Sequence, residues 1–281
     1  MANSPNLSPA GPRVAYPYDK AKMRMLYSVQ LILLSFFLVC SSLVKVDSVC
    51  SIPRLSHYSK AVFQSRFQGR SPVVFPAPHD SANARASMDE STLRREFGHL
   101  PVTLASANAN SYAKLESTLN EYLDGHLFEV PLDAKADELW YLFGDTLASP
   151  PWAPLHATFQ TVREVQDDPI IVWGAGGLYS GVPFHRHGPV FAEVLIGSKR
   201  WYLSPPDSRP SFSGNETTLS WMVNRGGGAA GGVLGCTLLP SEILYIPNDW
   251  WHATLNLDPY TAFLSTFTRE SGSTHGSVAD L

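Results

Sequence analysis

The stretch that decides the fold is Gly181–Phe191, GVPFHRHGPVF. It sets His185 and His187 one residue apart in what reads as the opening of a strand. Side chains at i and i+2 of a strand share a face, about 6–7 Å apart, so both imidazoles can turn toward one metal ion. A third histidine lies far along the chain, where IPNDWWHATLN places His252 after a Pro-Asn-Asp turn, entering another strand. Two close ligands on one strand and a distant third on another are how a small β-barrel builds a metal site with open coordination positions. His57, His79, His99, His126, His156 and His275 lack that company and read as ordinary core or surface residues.

Outward from this stretch, the chain changes character at Leu139. Before it the spacing of apolar residues predicts helices and a few strands. HYSKAVFQSRF (His57–Phe67) is amphipathic, SPVVFP is a short strand ending at Pro76, and STLRREFGHLPVTLA is a helix, a stop at Gly98 and a strand. Leu115, Leu119, Tyr122 and Leu123 are helically spaced, which predicts a helix over 115–125 with Gly125 as its cap. After Leu139 come short apolar or alternating runs such as IIVWG, PVFAEVLIG, KRWYLSPP, EILYIP and TAFLSTF, punctuated by turn residues. They predict an all-β core, sandwich or barrel, behind a helical N-terminal part. The glycine-rich Arg225–Gly235 reads as a flexible connection between two strands, and Trp201, Tyr202, Trp250 and Trp251 as core packing.

Bulk properties narrow the class. The chain has 281 residues, a net charge of −4 and 16% charged residues. No Lys/Arg run forms a basic stripe, which argues against a nucleic-acid partner. Residues 1–24 open with a Pro/Ser/Ala-rich stretch and read as disordered, and 269–281 reads as a flexible tail. Lys20, Lys22 and Arg24 then precede an apolar core from Leu31 to Cys40, so residues 25–44 read as a signal peptide or a signal-anchor, the latter being the single membrane contact expected. Either way, the domain after it is expected in the lumen of the secretory pathway. Asn215-Glu216-Thr217 is a glycosylation acceptor in keeping with that address. Cys50 and Cys236 could pair in an oxidising compartment, the alternative being a buried Cys236 and a free Cys50.

The runs YLFGD (141–145), SGVPFHRHGP (180–189), GSKRWYLSPP (197–206), NETTLSWM (215–222) and LYIPNDWWHATLNLD (244–258) together resemble the Jumonji-C (JmjC) branch of the cupin fold, nearest an endoplasmic-reticulum group within it. The likeness spans residues 58–268. It implies a double-stranded β-helix (jelly roll) with Fe(II), or another divalent metal, held by His185, His187 and His252. It also implies 2-oxoglutarate as co-substrate, with Lys199 at the position that anchors its distal carboxylate and Tyr141 lining its pocket. As a turn residue at a hairpin end, Lys199 would instead be solvated.

Two positions depart from the family's catalytic pattern: His187 stands where a metal carboxylate is usual, and Val182 where a threonine hydroxyl is. Three imidazoles leave the metal charge unneutralised, and valine removes a hydrogen bond from a dicarboxylate site. Glu193 and Asp249 are the carboxylates nearest in sequence, but their positions do not suit a rescue. The expectation is a regulatory or protein-interaction role with absent or atypical catalysis and an unidentified protein partner. The alternative is an active Fe(II)/2-oxoglutarate-dependent protein hydroxylase, with demethylation the lesser form.

Overall fold

The computed structural model describes residues 50–108, 113–143, 149–162, 169–226 and 232–268. The segments expected at 1–24, 25–44 and 269–281 lie outside the described residues. Among the described residues, no helix is long and apolar enough to cross a membrane.

Among the described residues, eleven strands form three antiparallel sheets. The large one runs β1 (Val73–Pro76), β9 (Glu242–Ile246), β6 (Val190–Ile196), β11 (Thr261–Phe267), β5 (Ile170–Gly176). A second has the order β10 (Trp251–Asn256), β7 (Lys199–Ser204), β8 (Leu234–Leu238). Val190, Ala192 and Val194 of β6 pack with Trp201 and Leu203 of β7, Cys236 and Leu238 of β8, and Leu244 and Ile246 of β9. The two sheets therefore share one apolar interior, which is the double-stranded β-helix. Strand β6 is buried almost throughout because its other face is covered too. There Phe191 meets Phe63 of helix α1 (Lys60–Arg66) and Tyr245, while Leu195 joins the cluster that includes Met88 and Leu93. Those two belong to helices α2 (Ala82–Met88) and α3 (Glu90–Phe97). A largely apolar run, rather than an alternating one, is what a strand covered on both sides requires, and the one charged residue of β6, Glu193, is held by His79 and Ser81.

The third sheet, β3 (Lys114–Thr118), β2 (Pro101–Ser106) and β4 (Trp140–Tyr141), belongs to the N-terminal part. Here the predicted helix over 115–125 divides in two. Leu115 pairs with Leu104 in β3, and helix α4 (Leu119–Gly125) starts only after Thr118. Thr118 accepts from the Glu121 amide at 3.3 Å while the Glu121 carboxylate accepts from the Thr118 amide at 2.8 Å. This capping box starts the helix where it stands, and the T-x-x-E pattern announces it in the sequence.

The all-strand reading after Leu139 also needs amendment. Besides a short helix, α5 (Ala153–His156), a second one, α6 (Thr218–Arg225), is capped by Thr217 at the Ser220 amide (3.1 Å) and ends at Gly226 with φ +66°. The glycine-rich segment therefore leaves a helix and enters β8, rather than joining two strands, and its residues 227–231 lie outside the described ones. Nor is GSKR a hairpin end. At Gly197 (φ +71°) the chain crosses from β6 in the large sheet to β7 in the other. A side chain there would sit 2.6 Å from the Tyr260 carbonyl, so this crossing requires glycine. Lys199, the first residue of β7, is consequently 1% exposed.

Cys50 and Cys236 are joined in a disulfide that ties the first described residue to β8. Asn215 lies in a turn, part-buried, with its amide donating to Asp137 Oδ2 at 2.9 Å.

Candidate metal centre

Each histidine is placed by backbone pairing before its side chain matters. The His185 amide donates to the His252 carbonyl at 3.0 Å, and the His252 amide returns the bond at 2.9 Å. Residue 185 is thus an isolated bridge in an extended segment, and the regular strand begins only at Val190. Two residues further, the His187 carbonyl accepts from the Asp249 amide at 3.0 Å. Gly181 lets this segment lie against β10, because a Cβ there would overlap the Thr254 carbonyl oxygen.

The three rings come together with one chemistry. His185 Nδ1 faces the Pro183 carbonyl at 2.9 Å, His187 Nδ1 the Gly188 carbonyl at 2.7 Å, and His252 Nδ1 the Trp250 carbonyl at 2.8 Å. A carbonyl can only accept, so each Nδ1 carries the proton and each Nε2 presents a lone pair. Ligand atoms of the three lie within 4.8 Å of one another, and the Nε2 atoms of His187 and His252 are 2.9 Å apart. Burial disfavours the protonated form of all three. It pushes His187 down to about 3, with His185 adding repulsion, and lowers His252, where both neighbours add to it, and His185. Neutral rings whose lone pairs converge at hydrogen-bond distance with no proton between them are satisfied by a cation. Two nitrogens bound cis to one ion at about 2.1 Å would stand about 3 Å apart. The donor set therefore fits a divalent metal of the kind imidazole suits. Among the described residues no carboxylate joins the group. Glu193 is held by His79 Nε2 at 3.0 Å and by the Ser81 hydroxyl, and Asp249 Oδ2 accepts from Asn248.

Beside the rings lies a cavity of about 30 Å³, walled by Tyr141, Val182, Lys199, Trp201, Thr254 and Phe263 among others. Lys199 donates to the Tyr141 hydroxyl and to Asn256 Oδ1, both at 2.9 Å, and its ammonium lies 3.9 Å from the centre of the Phe263 ring. Burial holds its pKa well below the usual lysine value. Val182 offers no hydroxyl, and its amide donates to Thr254 Oγ1 at 3.1 Å. A cavity of this size holds about two waters. The pocket opens to solvent on one side, and within it Lys199 already turns two of its ammonium hydrogens to protein acceptors. The metal half of the expected site is thus assembled, and the lysine of the co-substrate half is engaged by Tyr141 and Asn256.

Sequence reasoning missed Asn256, which shares Lys199 with Tyr141 and sits at the end of the WWHATLN run, four residues after His252 on its face of the strand. His79, read as an ordinary core or surface residue, has its side chain buried against Glu193. Of the four aromatics, Trp201, Tyr202 and Trp250 are core residues, whereas Trp251 is part-exposed beneath the Arg186 guanidinium.

No family model matches the chain. Among individual proteins, it is 36% identical to rat JmjC domain-containing protein 8 over 228 residues, covering 80% of this chain and 84% of that protein. The human counterpart is 35% identical and 86% covered. Lysine-specific demethylase JMJ21 of Arabidopsis thaliana is 24% identical, with 26% of its length covered. Among solved structures, the Escherichia coli ribosomal oxygenase YcfD is similar at 18% identity and TM-score 0.44, over 78% of this chain and 54% of that one. A form of it with cobalt and succinic acid gives 19% and 0.46, over 77% and 53%. With the β-helix, the three clustered histidines and relatives matched over most of their length, the chain belongs to the JmjC domain-containing protein 8 family.

Proposed function

We propose that this is a secretory-pathway JmjC protein that binds a divalent metal through His185, His187 and His252 and acts through protein contacts, with absent or atypical turnover. The observation that carries the reading is the contrast inside one cavity. The imidazoles are arranged for a cation, while Lys199 is already occupied by Tyr141 and Asn256 in a space of about 30 Å³. A metal bound there would supply a Lewis-acidic centre. The chain's own residues fix the ring tautomers, and among the described residues none adds a carboxylate to offset the ionic charge. The lumenal address is supported by the apolar 25–44 segment, the Asn215 acceptor and the Cys50–Cys236 bond, since disulfides persist in oxidising compartments. The expected partner is a protein, not a nucleic acid.

One observation favours the second reading, an active Fe(II)/2-oxoglutarate-dependent protein hydroxylase. Lys199 is a buried amine with no carboxylate partner among the described residues, which a co-substrate carboxylate would provide. Incubating the purified full chain with Fe(II), 2-oxoglutarate and oxygen separates the two. Succinate formation no higher than in a His252→Ala control is expected. Succinate clearly above that control would overturn the first reading. Glycosidase treatment tests the address: an Asn215 glycan is incompatible with a cytosolic domain.

A further inference from the structure

The strand segments that turn the metal ligands inward turn a different set of residues outward. Arg186 lies between His185 and His187, and Trp251 directly precedes His252. Alternation along an extended chain puts Arg186 on the face opposite both imidazoles, and Trp251 opposite His252. There the Arg186 guanidinium stands 4.9 Å from the Trp251 ring centre, and that of Arg209 stands 5.4 Å from it. Arg209 also covers Phe212 at 5.3 Å, Phe212 packs on Trp251 at 5.8 Å, and Phe184 supports Phe212 from the buried side at 5.5 Å. Both arginines are exposed, and neither has an ion-pair partner among the described residues. The Trp251 Nε1 is buried and likewise lacks a hydrogen-bond partner among them.

Two guanidinium ions sharing one indole repel each other, and the ring's quadrupole offsets only part of that. A carboxylate resolves it, because each planar fork accepts a bidentate anion while remaining stacked. The local charge of two positives stands out on a chain whose net charge is −4. We propose that Arg186, Arg209, Trp251 and Phe212 form a docking surface for an acidic peptide segment of a partner protein, directly outside the metal centre. This rests on the reading of the domain as one that acts through protein contacts, and it supplies the chemistry of the contact. Because ligand and docking residues alternate on the same short segments, an occupied outer surface restrains the backbone that carries the imidazoles.

The test is calorimetric titration of the full chain with hexaglutamate at low salt, with hexaglutamine as the uncharged control. Hexaglutamate alone is expected to bind, and an Arg186→Ala/Arg209→Ala variant to bind it at least 10-fold more weakly. Lys60→Ala/Arg66→Ala, which removes the same charge elsewhere on the surface, is expected to bind as the wild type does. Arg209→Ala alone, on a loop away from the ligand segments, is expected to lose several-fold and guards against a folding effect at residue 186. No hexaglutamate binding, or equal loss in both double variants, would overturn the proposal. So would binding to phosphatidylserine vesicles without binding to the peptide. The succinate assay is independent of these outcomes, so failure of the surface and failure of the functional reading are told apart.

Discussion

The imidazole cluster and the Lys199 cluster are walls of the same small cavity, yet their polar atoms are in opposite states. At the histidines every proton is spent on a backbone carbonyl, and the remaining lone pairs face one another. At the lysine, a side-chain hydroxyl and a side-chain amide oxygen already receive the ammonium hydrogens. Burial is common to both, so it does not explain the difference. What does is the supply of complementary groups: the first cluster has no proton or cation between its lone pairs, whereas the second already has two neutral acceptors from the protein, though no carboxylate among the described residues.

The largest effect should come from attacking the imidazole side. Replacing His252 with Ala removes a buried ligand whose main chain still pairs through residue 185. Affinity for Zn2+ or Fe2+ should fall by at least about 100-fold, read by calorimetry and metal content. Retained affinity would mean that the imidazoles do not act as a set.

Acid should break the same side without mutation. The folded-state pKa of each histidine lies below its unfolded value, and burial is the first cause. The unfolded chain therefore takes up more protons as pH falls below about 6.5, and metal-free stability is lost in that direction, down toward about 3 for His187. Each histidine can contribute a slope of up to roughly 1.4 kcal/mol per pH unit. Urea melts between pH 7 and 5 should show the decline, and His185→Ala should make it shallower.

The lysine side should respond to losing a partner. Tyr141→Phe leaves the buried ammonium one acceptor short and should destabilise the domain by about 1–3 kcal/mol, with metal affinity unchanged. Smallest of all should be the effect of Lys199→Met on metal affinity, which is expected to stay as in the wild type although the Tyr141 hydroxyl and Asn256 Oδ1 lose their donor. If instead this substitution abolishes metal binding, the two clusters are coupled and the comparison fails.

The sequence showed the site's ingredients more clearly than their state. H-x-H and WWH were legible because a strand's period of two is rigid, and the backbone bridge between residues 185 and 252 only confirms who faces whom. An all-β core was legible from runs such as PVFAEVLIG, apolar except for Glu193, which matches a strand covered on both faces, whereas the β-helix itself came from the resemblance. Less legible was the fate of Lys199. Whether a lysine after Gly-Ser is solvated or buried depends on a crossing between sheets, and its acceptors lie 58 and 57 residues away along the chain. The division of 115–125 failed for another reason: helical spacing was counted, while the Thr118–Glu121 box that overrides it was not.

The disulfide has a mechanical meaning. Cys50 and Cys236 are 186 residues apart in sequence but joined covalently, and beside that bond Ser51 shares two backbone-amide hydrogen bonds with Gly235. Tension applied to the chain ahead of residue 50 therefore passes into β8 through the covalent link, and the intervening segment bears none of it. A tether at the N-terminal side can be pulled without unravelling the helices that follow, and the load path stays open only while the sulfurs remain oxidised.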